Sequence, residues 1–275
     1  MSALSPLRRA TQWAVVLLFL GVPLLNATGN HIVSGNLFSF SAGPLTLADP
    51  LAVLQACAGA LSGTPTMLWA AGLTLLAAAV LGPVFCSWIC PYGLFSELAC
   101  KALRRGRNNT PGARPRLAFH AFAVKTGIVC AGFLTIALYP SPWLNQLSMP
   151  GWCTRVPQHV VLYREILWGA GLVLSVLTVE VLAGRRLWCR YICPQSVLVC
   201  LAGMLLPARL RIRFNPKACT CGKANPCASA CSLFLNPRSG GAAQRLQCTN
   251  CGDCVNACRK KGNALSFVCG SATST

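Results

Sequence analysis

Phe85-Cys86-Ser87-Trp88-Ile89-Cys90-Pro91 and Trp188-Cys189-Arg190-Tyr191-Ile192-Cys193-Pro194 are two copies of one motif: an aromatic residue, then two cysteines three residues apart, then proline. Each copy follows a long apolar run, Pro65–Phe85 for the first and Ile166–Ala183 for the second. Working outward, each run follows a loop rich in Gly, Pro, Ser and Asn (Asn26–Thr64, Pro140–Glu165), and each loop follows another apolar run (Ala10–Leu25, Leu117–Tyr139). A basic segment comes after each copy, Lys101–Arg116 and Arg209–Lys217. The unit is therefore span, outer loop, span and CxxxCP, written twice. Each run is near the ~20 residues that a hydrocarbon core demands. The pattern predicts an all-α integral membrane domain of four transmembrane helices in two repeated hairpins. An even number of helices per unit brings both cysteine pairs to one face, where four thiols can meet about a pseudo-two-fold axis.

Composition agrees with this reading. Of 275 residues, 54% are hydrophobic and 11% charged, which suits a polytopic membrane protein better than soluble domains. The net charge of +19 invites a nucleic-acid reading, but its distribution argues otherwise. With the amino terminus inside, every Lys and Arg except Lys125, Arg155 and Arg164 falls on the inner side. That is the positive-inside bias, so no nucleic-acid partner is needed to account for the charge. Arg8-Arg9 and the run after them also suit a signal peptide, with a poor small-residue site near Asn26-Ala27-Thr28. Either way both CxxxCP pairs stay cytoplasmic. Leu51–Leu61 reads as a short helix on the outer surface and Val197–Leu206 as one at the inner interface. Lys125, within the third span, either snorkels or pairs with Glu180 in the fourth.

From residue 207 the pattern changes to short polar loops dense in cysteine. This divides the chain into a membrane domain, 1–206, and a small cytoplasmic ferredoxin-like domain, 207–275, which needs a metal centre to hold together. Cys248-x2-Cys251-x2-Cys254-x3-Cys258 wraps three thiolates around one small volume and sends the fourth to a second cluster, as in two-cluster ferredoxins. Zinc sites prefer two separated knuckles. Upstream, Cys219-x-Cys221-x5-Cys227-x3-Cys231 keeps the last spacing but not the first two. Crosswise ligation gives one [4Fe-4S] cluster to Cys248, Cys251, Cys254 and Cys231, and a second to Cys219, Cys221, Cys227 and Cys258. The bland alternative is one genuine cluster and a degenerate copy.

The CxxxCP thiols Cys86, Cys90, Cys189 and Cys193 leave several readings open. They suit a third metal site, a thiol redox pair, a docking surface for the clusters, or a buried packing pair. Cys57 and Cys153 are the cysteines on the outer side, where a disulfide can persist. Of His31, His120 and His159 only His120 falls in a span, so no haem is expected. Asp49 before Pro50 fits a helix N-cap, with proton acceptance from a quinol as the rival role. Arg259, Lys260 and Lys261 beside Cys258 suit cluster tuning, steering of an acidic partner, or a solvated face. No residue set supports hydrolase, ATPase or nucleotide-dehydrogenase chemistry.

The FCSWICP and WCRYICP motifs, the GPLTLADPLAVLQ stretch and the terminal array together resemble the polytopic ferredoxin-type membrane proteins of the NapH, MauN and NosR group. The resemblance covers nearly the whole chain. The irregular first array is most similar to the methylamine-utilisation member, MauN. The resemblance implies a multi-pass protein of the bacterial inner membrane, its amino terminus and iron–sulfur domain cytoplasmic, with two [4Fe-4S] clusters. It further implies an electron-transfer subunit with quinol dehydrogenase activity. Electrons would pass from quinol toward a periplasmic redox system such as methylamine or nitrate metabolism, with lipid, quinone and a second redox subunit or periplasmic acceptor as partners. The alternative is a membrane reductase serving the assembly of a partner metalloenzyme. Cys219-x-Cys221, Ser232 and Arg259 depart from the usual ferredoxin pattern, so cluster properties do not carry over directly.

Overall fold

The computed structural model describes residues 4–29, 33–37, 39–43, 45–59, 64–81, 83–104, 115–139, 141–166, 168–205, 210–222, 225–239, 247–259 and 262–269. Residues 105–114, His31, the expected domain boundary at 206–209, Lys260 and Lys261 lie outside that set. Four long apolar helices form the body: α1 (Leu4–Ala27), α3 (Pro65–Leu81), α6 (Pro115–Leu138) and α9 (Trp168–Ala183). They coincide with the four expected spans. Two, over Ser5–Ala27 and His120–Leu138, are long and apolar enough to cross a membrane, while α3 and α9 are equally apolar but shorter. All four turn large apolar side chains outward, among them Leu17, Trp69, Leu138 and Leu182, with Trp69 82% and Leu138 83% exposed. Water would penalise such a surface; a lipid phase would not.

Each half then builds the same corner. After α3 comes the short helix α4 (Phe85–Trp88), and after α9 comes α10 (Leu187–Tyr191). In the first, the Ile89 and Cys90 N–H groups both donate to the Phe85 carbonyl, at 3.0 and 2.9 Å. In the second, Ile192 and Cys193 donate to the Trp188 carbonyl at the same two distances. The proline then stops the turn, since it has no N–H to donate, and opens the next helix. Those helices are α5 (Pro91–Arg104), packed along α9, and α11 (Gln195–Leu205), packed along α3.

Several expectations are corrected here. The fold is not purely helical. Val33–Asn36 (β1), Ser39–Ala42 (β2) and Leu45–Ala48 (β3) form an antiparallel meander in the first outer loop, because Ser, Thr and aromatic residues there alternate at strand period. Helix α2 (Pro50–Ala58) does not lie on a surface. Its Leu51, Val53 and Gln55 are buried, and it packs against α3, α6 and the short helix α7 (Trp143–Gln146). Nor is α11 interfacial, since Val197, Cys200 and Ala202 are buried. In the second outer loop α8 (Met149–Tyr163) packs on α1, α5 and α9, with Met149–Trp152 buried in the core. Both outer loops therefore turn back into the helical body. Gln55 makes this affordable by donating to Asn145 Oδ1 at 2.7 Å and accepting from the Leu144 N–H at 3.1 Å. Cys57 and Cys153 are both free, as two unrelated thiols. Lys125 does not pair with Glu180; it donates to Ser196 Oγ at 3.1 Å.

Candidate functional site

The carboxy-terminal segment folds around β4 (Leu210–Phe214) and β5 (Leu265–Cys269), an antiparallel pair in which Leu210 faces Cys269 and Phe214 faces Leu265. Between Cys248 and Cys254 the chain must turn sharply, and it does so with Asn250 at φ 52° and Gly252 at φ 80°. Asn250 Nδ2 donates to the Leu210 carbonyl at 2.8 Å, fastening the cysteine loop to β4. A helix, Asp253–Arg259, then carries Cys254 and Cys258 one turn apart.

Thiols of the two arrays lie near one another. Cys231 acts on both Cys251 and Cys254, and Cys248 and Cys227 also act on Cys254. Cys227, Cys254 and Cys258 are buried in one small core with Val255, Ala264 and Leu265, with half-buried Cys219 packed against it. Half-buried Cys221 is not part of that core. Backbone N–H groups point at sulfur: Leu235 donates to Cys231 Sγ at 3.4 Å and Ala264 to Cys258 Sγ at 3.1 Å. Such bonds stabilise thiolate and tune cluster potentials. Among the described residues, no three His, Cys, Asp or Glu converge tightly enough to hold a single metal ion. A zinc knuckle draws its sulfurs to about 2.3 Å from one point.

A second set of thiols lies at the junction of the two domains. Cys86, Cys90, Cys189 and Cys193 line one small cavity, together with Lys125 and Arg186. Cys90 and Cys193 share a buried core with Tyr92, Met149, Trp152 and Trp188, and Cys189 packs against it. Burial first, then the charges of Cys193, Cys200 and Cys189, pushes the Cys86 thiol up; burial and Cys189 push Cys193 up to about 12. Gly93 donates its N–H to Cys90 Sγ at 3.3 Å, and a Cβ there would meet the Cys86 carbonyl at 2.6 Å. Only glycine allows this close return.

The cysteine-rich domain forms the cavity's other wall through Leu233, Gln247 and Thr249. Ser87 Oγ donates to the Thr249 carbonyl at 2.5 Å and Arg190 Nη1 to the Leu233 carbonyl at 2.7 Å. Arg185 stacks over Phe234, 4.7 Å from its centroid. Arg8, fully buried, pairs with Glu97 at 2.8 Å and with Asp253 at 3.1 Å, and Lys101 reaches both acids. Arg8, Lys101 and Arg9 hold the Glu97 carboxyl down to about 2 against the upward push of its burial. One apolar contact, Leu233 with Leu235, touches Cys189 on one side and Cys231 and Cys248 on the other.

Sequence reasoning had named all twelve of these cysteines but not Ser87, Arg186, Arg190, Leu233 or Thr249. Arg185 and Arg186 had counted only as inside charges. Their place directly before Leu187-Trp188-Cys189 was the available signal.

A family model described as a 4Fe-4S binding domain matches residues 63–110 and again residues 166–213. Each match contains one CxxxCP pair and stops before the terminal array. The ferredoxin-type protein NapH of Escherichia coli (strain K12) is 28% identical over 267 residues, covering 92% of this chain and 85% of that protein. The methylamine utilization ferredoxin-type protein MauN of Paracoccus denitrificans is 30% identical over 235 residues, covering 82% and 74%. MauN of Methylorubrum extorquens is 28% identical over 261 residues, covering 92% and 73%. These identities do not separate the NapH from the MauN branch. No solved structure matches. The repeated CxxxCP units, the trailing cysteine array and these similarities place the chain in the ferredoxin-type 4Fe-4S family that includes NapH and MauN.

Proposed function

We propose that this protein is a four-span membrane electron-transfer subunit whose cytoplasmic domain, residues 207–275, carries two [4Fe-4S] clusters and takes electrons from quinol. The observation that supports the reading is the gathering of both arrays: Cys231 acts on Cys251 and Cys254, and Cys254 shares one core with Cys227, Cys258 and Cys219. Such intermixing of the two arrays is what crosswise ligation in a two-cluster ferredoxin requires. Cys248, Cys251, Cys254 and Cys231 would hold one cluster; Cys219, Cys221, Cys227 and Cys258 the other. Each cluster, when bound, supplies storage for one electron. The chain's own residues place those sites. Arg8 and Lys101 clamp Asp253, and Ser87 and Arg190 bind the backbone beside Cys248 and Cys231, so the domain is held against the helix ends. A periplasmic acceptor fits this arrangement with the help of a further redox subunit, as MauN-type names suggest for methylamine utilisation.

The test is EPR on protein purified anaerobically in detergent, before and after a quinol is added. Two reduced-cluster signals should appear, and Cys231→Ser should abolish the same signal as Cys251→Ser. Signals that respond to dithionite but not to quinol would overturn the quinol donor and favour the assembly-reductase role.

A further inference from the structure

We infer that the cluster held by Cys231, Cys248, Cys251 and Cys254 is the one seated on the helical body, and that buried Arg8 raises its reduction potential, so that it takes the first electron. This order rests on the two-cluster reading above. The two CxxxCP motifs meet the cysteine-rich domain through equivalent residues. Ser87 and Arg190 directly follow the first cysteine of each motif, and each donates to a backbone carbonyl. Ser87 reaches Thr249, next to Cys248, and Arg190 reaches Leu233, two residues after Cys231. Arg185 stacks over Phe234, and Cys189 packs against the Leu233–Leu235 contact that also touches Cys231 and Cys248. Arg8 and Lys101 take Asp253, which lies between Cys251 and Cys254. These contacts fall on residues 231–235 and 248–253, the segments that carry Cys231, Cys248 and Cys251. Cys227 and Cys258, with Cys219 against them, sit instead among Ile212, Phe214, Leu265 and Phe267 of the domain itself, where Cys254 joins them.

Charge separates the two sites further. Arg8 is 1% exposed, and its Nη2 makes both ion pairs, to Glu97 and to Asp253. Its Nε and Nη1 are buried without a hydrogen-bond partner, and its charge acts on Cys251. Arg8, Arg9 and Lys101 face two carboxylates, Glu97 and Asp253, so one positive charge is in excess among these five groups. Reduction adds one negative charge to a cubane, and net charge beside it is among the quantities that set its potential. A buried charge counts for most, because solvent and salt screen it least. Arg259, the cation beside Cys258, is exposed and therefore screened. Gln12, one turn after Arg8, donates to the Ser87 carbonyl at 2.7 Å, so one helix end fastens both the first motif and the array.

Oxidation of a quinol to a quinone releases two electrons and two protons; one electron goes to each cluster and the protons go to water. Arg8 settles the first electron beside the helix ends. The second then loads the site of Cys219, Cys221, Cys227 and Cys258, which is left as the stronger donor.

The test is a potentiometric titration followed by EPR on full-length protein purified anaerobically in detergent. Cys251→Ser identifies the membrane-facing signal and Cys219→Ser the other. In the wild type the Cys251-dependent signal should appear at the higher potential; the reverse order would overturn the inference. In Arg8→Met that signal should lose about tenfold in its reduction equilibrium, about 59 mV for one electron, while the other moves far less. Arg8→Lys should restore most of the loss, and Arg259→Met should leave both signals in place. Should Arg8→Met not hold its iron, Glu97→Gln decides instead: with Arg8 less neutralised, the same signal should move to higher potential. Equal shifts of both signals, or no shift in either variant, would overturn the role of Arg8. A single signal in the wild type would overturn the two-cluster reading, and the order of the clusters with it.

Discussion

The array thiols and the CxxxCP thiols are both cysteine sets of a redox protein, yet they are built in opposite ways. The array lies between Cys219 and Cys258 and is shaped by short turns such as Asn250–Gly252. Of the six buried side chains in its core, Cys227, Cys254 and Cys258 are themselves candidate ligands. The CxxxCP thiols come from two distant helix ends and are brought together by packing of Trp152, Trp188, Tyr92 and Met149. The first region therefore has little apolar core beyond its own candidate ligands, while the second is held by packing of large side chains.

The largest expected effect breaks that comparison or upholds it. Cys254→Ser should remove about four irons and open residues 210–269 to protease, because the domain is too small to survive on its apolar core alone. Helicity of α1–α11 by circular dichroism should change little. A cysteine domain that stays protease-resistant without its iron would show the two regions to be alike. Cys86→Ser/Cys189→Ser should behave in reverse, with no gain in proteolysis, because packing of Trp152, Trp188, Tyr92 and Met149 holds that region.

Next in size is the clamp between the regions. Arg8 is buried against Glu97 and Asp253, so Arg8→Ala leaves two acids short of a partner. Removing one member of a buried pair costs about 3–5 kcal/mol, with the lower end expected because Lys101 and Arg9 remain on Glu97. Arg9, a quarter exposed, should cost under about 1 kcal/mol when replaced by alanine. Thermal unfolding in detergent reads both. Equal effects would mean the clamp is a surface feature rather than part of the domain junction.

The two regions also differ in how far sequence alone reveals them. The array's candidate ligands are local: C-x2-C-x2-C states its own geometry, and the x3 spacing proposes Cys231 as a crossing ligand. The convergence of the four CxxxCP thiols was legible too, since an even helix count puts both motifs on one face. What escaped was everything set by tertiary packing. Helix α2, PLAVLQACA, is apolar on most sides, so its pattern does not tell a surface from a helix groove. The partner of Gln55 is Asn145, far away in the second outer loop, and no periodicity reports that pairing. Sequence leaves Lys125 either snorkelling or pairing with Glu180, whereas Ser196 binds Lys125 and Ser96 and Trp188 bind Glu180. The meander over 33–48 was missed because four-residue strands give too short a pattern to stand out beside long helices.

The smallest expected effect compares two carboxylates, one in the clamp and one in the re-entrant loops. Glu97 is held down to about 2 by its cations, so its stabilisation is complete above pH about 4.5 and fades as pH falls toward 2. Asp49 has the opposite sign. It caps α2 by accepting from the Leu51 N–H at 3.3 Å, but burial pushes its carboxyl up to about 6 despite Gln195 and the α2 N–H groups. The unfolded chain ionises Asp49 near pH 4 and the folded chain only near 6. Stability therefore falls as pH rises through that window, by up to about 3 kcal/mol for a shift of about two units. Asn keeps the cap without the charge, so Asp49→Asn should flatten the thermal midpoint between pH 5 and 7 and raise it at neutral pH. If the midpoint keeps its slope in the variant, the α2 end is solvated. The outer loop would then not reach the CxxxCP core as Gln195 implies.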